Sequence, residues 1–382
     1  MAKLGEVFTI ASGGTPDKKK PFYYENGTIP WVKTGDLKNQ YVPDGIECIT
    51  EEGLNNSSAK LFPPNTVLVA MYGATIGACS ILPYEAATNQ ACAAFLPNED
   101  VLPTYLYYLL SSKKDQFVKA GVGGAQPNIS VGYLKNVQFD LISVQQQKET
   151  VERLDKLEKL VALRKEQLIK LDELGKARFV ELFGDPILNP YGWDVVTIGD
   201  IVTDVRYGTS KPAVEGGKYP YLRMNNLTYD GHLDLSDMKY IDIPDNEIEK
   251  CIVRKGDVLF NRTNSIELVG KTCVFDLDDD MVIAGYIIRV RLNDNLLPIV
   301  LSSYMNSPVL KEQLRNMAKG AVNQANINAQ ELQSIKIYLP PIELQNQFAA
   351  FVEQTDKSKL AIQKSLDELE ILKKSLMQQY FG

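Results

Sequence analysis

The sequence contains two copies of one pattern, separated by 198 positions. Residues 126–184 and 324–382 stay in register through nearly 60 residues, from a Gln-x-Asn-Ile motif to a closing Phe-Gly. The shared positions are Gln126 and Gln324, Asn128 and Asn326, Ile129 and Ile327, Leu134 and Leu332, Leu141 and Leu339, Gln147 and Gln345, Leu171 and Leu369, Phe183 and Phe381, and Gly184 and Gly382. Because chance agreement rarely holds one offset for so long, the chain is predicted to be a duplicated unit.

Upstream of these segments, the two copies resemble each other only loosely. The corresponding stretches are 4–7 (Leu-Gly-Glu-Val) and 198–201 (Ile-Gly-Asp-Ile), 31–33 (Trp-Val-Lys) and 221–223 (Tyr-Leu-Arg), and 67–68 and 258–259 (both Val-Leu). We call residues 1–143 the first head and residues 185–341 the second head. The pattern indicates two heads that share a scaffold and differ in what they contact.

Residues 144–184 and 342–382 carry the spacing of long amphipathic helices, near a repeat of 3.5 residues. An ordinary helix packed on its own head is the alternative, but the matched lengths and apolar stripes favour two helices that pack on each other. The residues predicted at this helix interface are Leu154, Leu157, Val161, Leu168, Leu171, Phe348, Ile362, Leu366 and Leu369.

Short runs of β-forming residues in each head alternate with Gly, Pro and Asn turns, and one helical segment precedes the closing strand. The predicted fold class is therefore α+β. It has two mixed α/β domains separated by two long antiparallel coiled-coil helices, with an internal pseudo-two-fold repeat.

Polar and glycine-rich loops recur at matching places in the heads. The polar loops are residues 72–77 and 261–265, and the glycine-rich loops are residues 121–126 and 319–324. Glycine lets a backbone approach a partner closely, and Asn and Gln can pair with adenine edges. The alternative is that these are plain turns, with the Gln-x-Asn motif belonging to the shared scaffold.

The formal net charge of −7 argues mildly against nucleic acid as a partner. The net charge of individual segments differs from this average. The basic clusters are residues 18–20, residues 113–114, and Arg289 with Arg291, and the acidic clusters are residues 242–249 and 276–280. Composition therefore leaves DNA binding open.

Catalytic chemistry finds little support in the sequence. The single histidine, His232, lies in a polar loop, which leaves no basis for a histidine base or a multi-histidine metal site. No phosphate-binding glycine motif is present, and residues 189–191 (Asn-Pro-Tyr) resemble an adenine-methyltransferase signature only superficially. We expect no catalytic residues, no metal and no cofactor in this chain.

The five cysteines are spread out, without a Cys-x-x-Cys pair, as reduced thiols in a cytosol would be. No apolar run approaches the roughly 18 residues of a membrane span. A cytoplasmic protein without a membrane partner is expected.

The whole chain resembles the specificity subunits of Type I restriction–modification systems. The resemblance is carried by 183–186 (Phe-Gly-Asp-Pro), by 189–193 (Asn-Pro-x-Gly-Trp), and by 340–345 (Pro-Pro-Ile-Glu-Leu-Gln) at the entry to the second helix. The first copy has Ile142-Ser143 in place of the two prolines but keeps Gln147.

The resemblance implies a non-catalytic DNA-binding subunit. Each head would be a target-recognition domain for one half of a bipartite site in double-stranded DNA, and the helices would set the gap. Two modification subunits, which are adenine-N6 methyltransferases using S-adenosylmethionine, would dock on the helices and lower heads. Restriction subunits (translocase and nuclease) would complete an ATP-dependent endonuclease.

The resemblance and the polar loops together suggest DNA-contacting residues in both heads. In the first head they are Lys33, Thr34, Tyr72, Thr75, Asn89 and Gln90, and in the second they are Arg206, Lys211, Arg223, Asn225, Arg262, Asn264 and Lys271. Basic residues are expected to grip phosphate mostly, with Asn, Gln and Arg262 as the better base readers. A coiled-coil scaffold that binds no DNA, and a fused nuclease or methyltransferase, are the rival interpretations.

Overall fold

The computed structural model describes residues 1–121, 128–318 and 325–382. Two compact units make up the chain, the first comprising Met1–Lys165 with Lys364–Gly382 and the second Glu166–Gln363. Each unit therefore combines one head with part of each long helix. Gln126, Gln324 and most of the glycine-rich loops lie outside the described residues.

The first head is a mixed α/β structure, as predicted. Its strands are β1 (Ala2–Lys3), β2 (Ile10–Ser12), β3 (Ile29–Val32), β4 (Cys48–Ile49), β5 (Leu61–Phe62), β6 (Val67–Ala70), β7 (Cys79–Ile81), β8 (Ala86–Thr88), β9 (Cys92–Phe95) and β10 (Gln138–Phe139). Its helices are α1 (Leu4–Val7), α2 (Glu51–Asn55), α3 (Pro103–Ser112), α4 (Lys114–Ala120) and α5 (Val131–Lys135), with 3₁₀ turns at Pro21–Tyr23, Thr34–Asp36 and Gly73–Thr75. The long helix α6 (Val144–Phe183) follows.

The second head repeats this plan. Its strands are β11 (Val195–Thr197), β12 (Val202–Tyr207), β13 (Tyr219–Leu222), β14 (Lys239–Ile241), β15 (Ile252–Val253), β16 (Val258–Asn261), β17 (Thr263–Asn264), β18 (Thr272–Val274), β19 (Met281–Ile283), β20 (Ile287–Leu292), β21 (Ala325–Asn326) and β22 (Lys336–Tyr338). Its helices are α7 (Asp245–Cys251), α8 (Pro298–Met305), α9 (Pro308–Met317) and α10 (Ala329–Gln333), with 3₁₀ turns at Ile198–Ile201 and Met224–Asn226, and the long helix α11 (Ile342–Phe381) follows.

Sheet order is the same in both heads. The first head has sheets in the orders β2-β9-β6-β7 and β4-β3-β8-β5, and the second has β12-β20-β16-β18 and β14-β13-β19-β15. In each head one pair of neighbouring strands runs parallel, β3 with β8 and β13 with β19. The sequence repeat is thus a repeat of topology, even where the head sequences have diverged.

The ends of both long helices enter the head cores. Val151 and Leu154 of α6 and Phe381 of α11 belong to the core of the first unit. Phe183 of α6 and Phe348 of α11 belong to that of the second, with ring centroids 5.3 Å apart. Since burying a phenylalanine side chain contributes about 1.5–3 kcal/mol, these ends bind the helices firmly to the heads. Each head therefore contacts one end of α6 and one end of α11, and not only the helix that follows it in sequence.

The long helices pack antiparallel within each unit. In the first unit, Arg153 donates to the Tyr380 hydroxyl at 3.1 Å and Lys165 pairs with Glu370 at 3.1 Å, so residue numbers rise on α6 as they fall on α11. In the second unit, Asp172 pairs with Lys359 at 2.6 Å. The predicted packing of the two helices on each other is confirmed.

The predicted helix-interface residues differ in burial. Leu154 and Phe348 lie in the head cores described above, and Leu157, Val161 and Leu366 are also buried. The half-buried members are Leu168, Leu171, Ile362 and Leu369. The predicted interface thus combines fully buried and half-buried positions.

Helix α6 ends because its closing glycine adopts a backbone that other residues avoid. Gly184 has φ +75°, and a Cβ there would lie 2.3 Å from Cγ of Pro190. A glycine in the left-handed region commonly closes a helix, as the sequence suggests here. None of the helices within the described ranges combines the length and apolar character that crossing a membrane requires.

Candidate DNA interface

Predicted DNA-contacting residues of the first head meet at the carboxyl ends of its parallel strands. Strands β3 and β8 pair through Val32 and Thr88, so the next residues of each strand emerge at one edge. The amide of Asn89 donates to the Val32 carbonyl at 2.9 Å, which brings Asn89 beside Lys33. Ligands of α/β proteins commonly bind at such an edge. We call it the parallel edge of the first head.

A close backbone approach anchors the parallel edge. A Cβ added to Gly13 would lie 1.9 Å from the Thr88 carbonyl oxygen, so only glycine fits there. The following amide, of Gly14, donates to the same oxygen at 2.9 Å, and the Thr15 hydroxyl donates to Oε1 of Gln90. The Gln90 side chain is therefore held on the exposed edge rather than left to rotate.

Lys33 and Thr34 begin a 3₁₀ turn at this edge. The Lys33 ammonium donates to Glu47 at 2.6 Å, and this bond raises the pKa of the lysine. Both side chains of the pair are about 40% exposed, so the ion pair is open to competition from a phosphate.

The second head builds the same edge with different side chains. Strands β13 and β19 pair through Leu222 and Ile283, and the Ala284 amide donates to the Leu222 carbonyl at 2.9 Å. Ala284 and Gly285 therefore stand where the first head has Asn89 and Gln90. Close approach also recurs, since a Cβ on Gly208 would lie 2.1 Å from the Ile283 carbonyl oxygen.

Arg223 follows β13 as Lys33 follows β3. Its guanidinium donates to the Asp237 carboxylate at 2.8 Å and to the Asp237 carbonyl at 2.7 Å, and the carboxylate bond lowers the pKa of Asp237. Asn225 lies exposed in the 3₁₀ turn that follows. The two edges thus correspond in backbone but not in chemistry.

The polar loops after β6 and β16 lie against the Asn of the Gln-x-Asn motifs. Tyr72, 43% exposed, bridges to Asn128 through the backbone. In the second head, Thr263 pairs with Asn326, and the threonine hydroxyl donates to the asparagine Oδ1 at 2.9 Å. These ladder contacts fix the loops to the segments that lead into α5 and α10.

The remaining predicted residues of these loops lie close by. Thr75 donates its hydroxyl to the Tyr72 carbonyl at 3.1 Å. Asn264 pairs with Ala325, and its side-chain oxygen accepts from the Ser265 amide at 2.9 Å. Both side chains are half-buried.

Arg262 is held by an aromatic ring. Its guanidinium carbon lies 4.8 Å from the centroid of Tyr207, whose hydroxyl accepts from the Ala329 amide at 2.8 Å. Its Nε has no hydrogen-bond partner among the described residues. A guanidinium held over an aromatic ring can present its terminal nitrogens to a planar acceptor, such as guanine. Arg262 was predicted from the sequence, but Tyr207 was missed. Tyr207 is an aromatic residue that ends β12 and precedes Gly208, and this pattern was a signal that could have found it.

Other predicted residues of the second head are paired or buried. Arg206 donates to Asp204 at 2.8 Å, and Lys211 donates to Glu247 at 2.7 Å. Lys271 is 9% exposed, and burial lowers its pKa. Its ammonium therefore offers less surface to a partner than the other predicted cations.

The basic pair Arg289 and Arg291 is used inside the second head. Arg289, 1% exposed, donates to Asp204 at 2.6 Å, and Arg291 donates to Asp257 at 2.8 Å. Burial alone would raise the pKa of Asp204, but Arg289 and Arg206 lower it. These arginines stabilise the sheet and leave other residues to carry any positive surface.

Sequence reasoning also missed a buried lysine. Lys311 of α9, 3% exposed, donates to the Gly270 carbonyl at 2.6 Å and lies 5.1 Å from the ring centroid of Tyr229. Burial, as the largest cause, and the charges of Arg315 and Lys271 together lower the pKa of Lys311 to about 7. The spacing of apolar residues in α9 does not indicate that Lys311 is buried.

The described part of the chain offers no metal-binding cluster, and two of its thiols are shielded by burial. No group of three or more His, Cys, Asp or Glu side chains there could hold a metal ion. Cys79 and Cys92 are buried, and burial raises the pKa of both thiols. His232 is exposed.

Known proteins resemble this chain in sequence and in fold. The chain is 29% identical over 261 residues to the Type I restriction enzyme MjaIX specificity subunit of Methanocaldococcus jannaschii, an alignment that covers 62% of this chain and 60% of that subunit. It is 22% identical over 380 residues to the Type I restriction enzyme EcoKI specificity subunit of Escherichia coli K12, covering 93% and 81%. The chain thus spans about 60% of the length of the first of these relatives.

Two solved structures share the fold. One, from work on complex assembly and conformational transition of a type I R-M system, matches with a TM-score of 0.64 at 21% identity over 100% of this chain and 96% of that one. The other, the S subunit of a Type I restriction–modification system from M. genitalium, matches with a TM-score of 0.57 at 14% identity over 100% and 95%.

The family described as Type I restriction modification DNA specificity domain matches residues 1–173 and again residues 190–371, which correspond to the two copies of the repeat. This chain belongs to the Type I restriction modification DNA specificity family.

Proposed function

We propose that the chain is the sequence-specific DNA-binding specificity subunit of a Type I restriction–modification complex. Residues 1–143 and 185–341 act as target-recognition domains, and each reads one half of a bipartite target in double-stranded DNA. Residues 144–184 and 342–382 set the gap between the half-sites. The observation that carries this proposal is one backbone edge, built twice, with different side chains on it.

The differences at that edge suit two different half-sites. The first head presents the amides of Asn89 and Gln90 where the second has Ala284 and Gly285. The second head presents Arg262 on Tyr207 at the end of β16. Because Asn and Gln pair with adenine edges and Arg with guanine, the heads are suited to different bases.

Three other predicted cations are suited to hold the backbone of the duplex. Lys33, Lys211 and Arg223 each form an ion pair of 2.6–2.8 Å with a carboxylate whose side chain is at least 42% exposed. Exposed pairs of this kind contribute about 0–1 kcal/mol, so a phosphate can replace the carboxylate at little cost. Such contacts position a protein on the duplex without reading its sequence.

The long helices offer a surface for protein partners. Both carry large apolar side chains that are at least 45% exposed in their own units, and these are Leu160, Leu163, Ile169, Leu174, Val180, Leu360, Ile371 and Leu372. A contiguous apolar patch on the surface of a soluble protein commonly marks an interaction site. Two methyltransferase subunits would dock on these helices and the adjoining parts of the heads, and restriction subunits would join that core.

Methylation and cleavage then belong to the partners. The modification subunits would bind S-adenosylmethionine and transfer its methyl group to adenine N6, and the restriction subunits would supply ATP-dependent cleavage. This chain would contribute recognition, with no cofactor and no metal of its own.

Mapping of methylated adenines tests the proposal. The full chain is expressed with its cognate modification subunit in a host that lacks other adenine methylation, and methylated positions are sequenced. A split motif with a fixed gap is expected, and it should vanish when either protein is omitted. If the complex showed no duplex binding, the chain would be a scaffold of another kind. Methyl transfer by the purified chain alone would favour a fused enzyme.

A further inference from the structure

A turn rich in lysine leaves the first head beside its parallel edge. The Lys19 amide donates to Oδ1 of Asp17 at 3.0 Å, and the Lys20 amide donates to the Asp17 carbonyl at 3.0 Å. Residues 17–22 are all exposed. With Lys18, the turn holds three lysines and one aspartate within four residues.

The base of this turn is fixed to the head. The indole Nε1 of Trp31, a buried residue, donates to the Gly14 carbonyl at 3.0 Å, and the Tyr24 hydroxyl donates to the Pro16 carbonyl at 2.6 Å. The rings of Tyr24 and Trp31 contact each other, with centroids 5.9 Å apart. The turn therefore projects from a rigid base rather than from a loose loop.

The same base touches the predicted base readers. Thr15, which follows Gly14, donates its hydroxyl to Gln90. One residue, Pro16, separates Thr15 from the turn. The lysines thus stand next to the edge on which Asn89 and Gln90 are presented.

The positive charge of the turn is largely unpaired. Within the described ranges, neither Lys18 nor Lys19 forms an ion pair with a carboxylate. The Lys20 ammonium donates to the Tyr23 hydroxyl at 3.1 Å and lies 5.0 Å from that ring centroid. The carboxylates facing Lys20 are Asp17 and, from α2, Glu52.

The lysines of the corresponding loop in the second head are paired rather than free. Its base is anchored in the same manner, since the Tyr221 hydroxyl bonds to the carbonyls of Thr209 and Lys211 at 3.2 and 3.1 Å. Its two lysines, however, are each paired with a carboxylate of the same head, Lys211 with Glu247 at 2.7 Å and Lys218 with Asp245 at 3.9 Å. The two heads therefore share the loop but not its free charge.

We propose that the turn of Asp17–Lys20 is a phosphate clamp, through which the first head gains salt-dependent DNA affinity. This inference rests on the proposed function. Unpaired ammonium groups beside the base readers can displace counterions from the duplex, and that displacement makes affinity depend on salt. The clamp grips without reading, so it leaves the recognised sequence unchanged.

The test measures duplex binding of the full chain with its cognate modification subunit, at several salt concentrations. The variant Lys18→Gln/Lys19→Gln/Lys20→Gln removes the charges and keeps much of the side-chain length. The slope of log K against log salt should become shallower by about 2 to 3, since each phosphate contact contributes about 0.9. The methylated motif should be the same as for the parent.

Two matched variants make the outcome specific. Lys18→Arg/Lys19→Arg/Lys20→Arg keeps the charges and should keep the parent slope. Lys3→Gln/Lys135→Gln/Lys336→Gln removes equal charge beside the strands that precede the long helices, and should also keep it. A parent slope in the glutamine variant of the turn would overturn the clamp.

If the triple glutamine variant does not fold, a single substitution still tests the proposal. Lys19 is exposed, and Lys19→Gln alone should change the slope by about 1; an unchanged slope there would also overturn the clamp. Absence of salt-dependent duplex binding by the parent complex would instead overturn the proposed function, so the two failures are distinguishable.

Discussion

Gln147 and Gln345 make the same hydrogen bonds, each in its own unit of the chain. Oε1 of Gln147 accepts from the Leu102 amide at 2.9 Å, while Nε2 donates to the carbonyls of Asp100 and Ile142 at 2.8 and 3.0 Å. Oε1 and Nε2 of Gln345 bond in the same way to the Leu297 amide at 2.8 Å and to the carbonyls of Asn295 and Pro340 at 3.0 and 2.8 Å. Both side chains are fully buried. Each glutamine therefore joins the start of a long helix to the start of a head helix.

Gln147→Ala is expected to lower the free energy of unfolding of the chain by about 3 kcal/mol, because each buried polar group left without a partner costs about 1–3 kcal/mol. Gln345→Ala should cost a similar amount. Urea denaturation followed by circular dichroism measures both. Gln145→Ala is the matched control, since the Gln145 side chain bonds only to an exposed Glu149 at 3.0 Å. Losses no larger than that of the control would show that the buried bonds contribute little.

These glutamines also show how far the sequence repeat reaches. One offset aligned Gln147 with Gln345, and this alignment predicted two long helices with equivalent beginnings. It did not show what the side chains bind, because Asp100 and Asn295 lie in stretches of the heads where the offset has drifted. Periodicity likewise predicted helices that pack on each other, but not that Phe348 and Phe381 also belong to the head cores.

Arg262→Ala should lose about 1–3 kcal/mol of discrimination at one base pair of the second half-site, since a bidentate contact to guanine carries about that much. Tyr207→Ala should relax the same position by removing the ring that holds the guanidinium. Tyr207→Phe keeps the ring and should preserve specificity. Sequencing of methylated sites measures each variant in the complex with its modification subunit. Relaxation of both half-sites, or of neither, would make the assignment of Arg262 wrong.

Lys311 should make the stability of the second unit depend on pH. Its pKa falls from 10.5 to about 7 on folding, so between these values the unfolded chain binds a proton that the folded chain does not. Burial therefore costs the folded state most below pH 7, and stability rises with pH across this window by an amount on the order of 5 kcal/mol. Lys311→Met should exceed the parent in stability at pH 6.5, and the difference should shrink towards pH 10.

The difference in free energy of unfolding between variant and parent reports on this lysine alone, because tyrosines and cysteines that titrate in the same range contribute equally to both proteins. Lys114→Met is the control. Lys114 lies against Gly77 in the first head, much as a residue of α9 lies against Gly270 in the second, but the Lys114 side chain is exposed. The pH dependence of the Lys311→Met difference is compared with that of this control. A constant offset for Lys311→Met from pH 6.5 to 10 would argue that Lys311 stays charged when the chain folds.

The site was harder to predict than the fold, for a physical reason. Lys33 lies far in sequence from Asn89 and Gln90, and it meets them only because β3 and β8 run parallel. A polar residue after a strand suggests a contact, but its partner depends on sheet order. Arg289 and Arg291 illustrate the opposite case. Their charge suggested a basic cluster on the surface, but they form ion pairs with Asp204 and Asp257 inside the second head.

The antiparallel helices predict how the gap between half-sites can be changed. Seven residues inserted after Lys165 and seven after Leu366 keep Lys165 in register with Glu370, and Asp172 with Lys359, because each insertion spans two turns of a 3.5-residue repeat. Each helix lengthens by about 10 Å at 1.5 Å per residue, which is about three base pairs at 3.4 Å each. The methylated motif should therefore keep both half-sites and gain about three base pairs of gap. An insertion in one helix alone shifts the register and should weaken methylation at every site. An unchanged gap in the double insertion would mean that the helices do not set the spacing, and an altered half-site would mean that they help to read it.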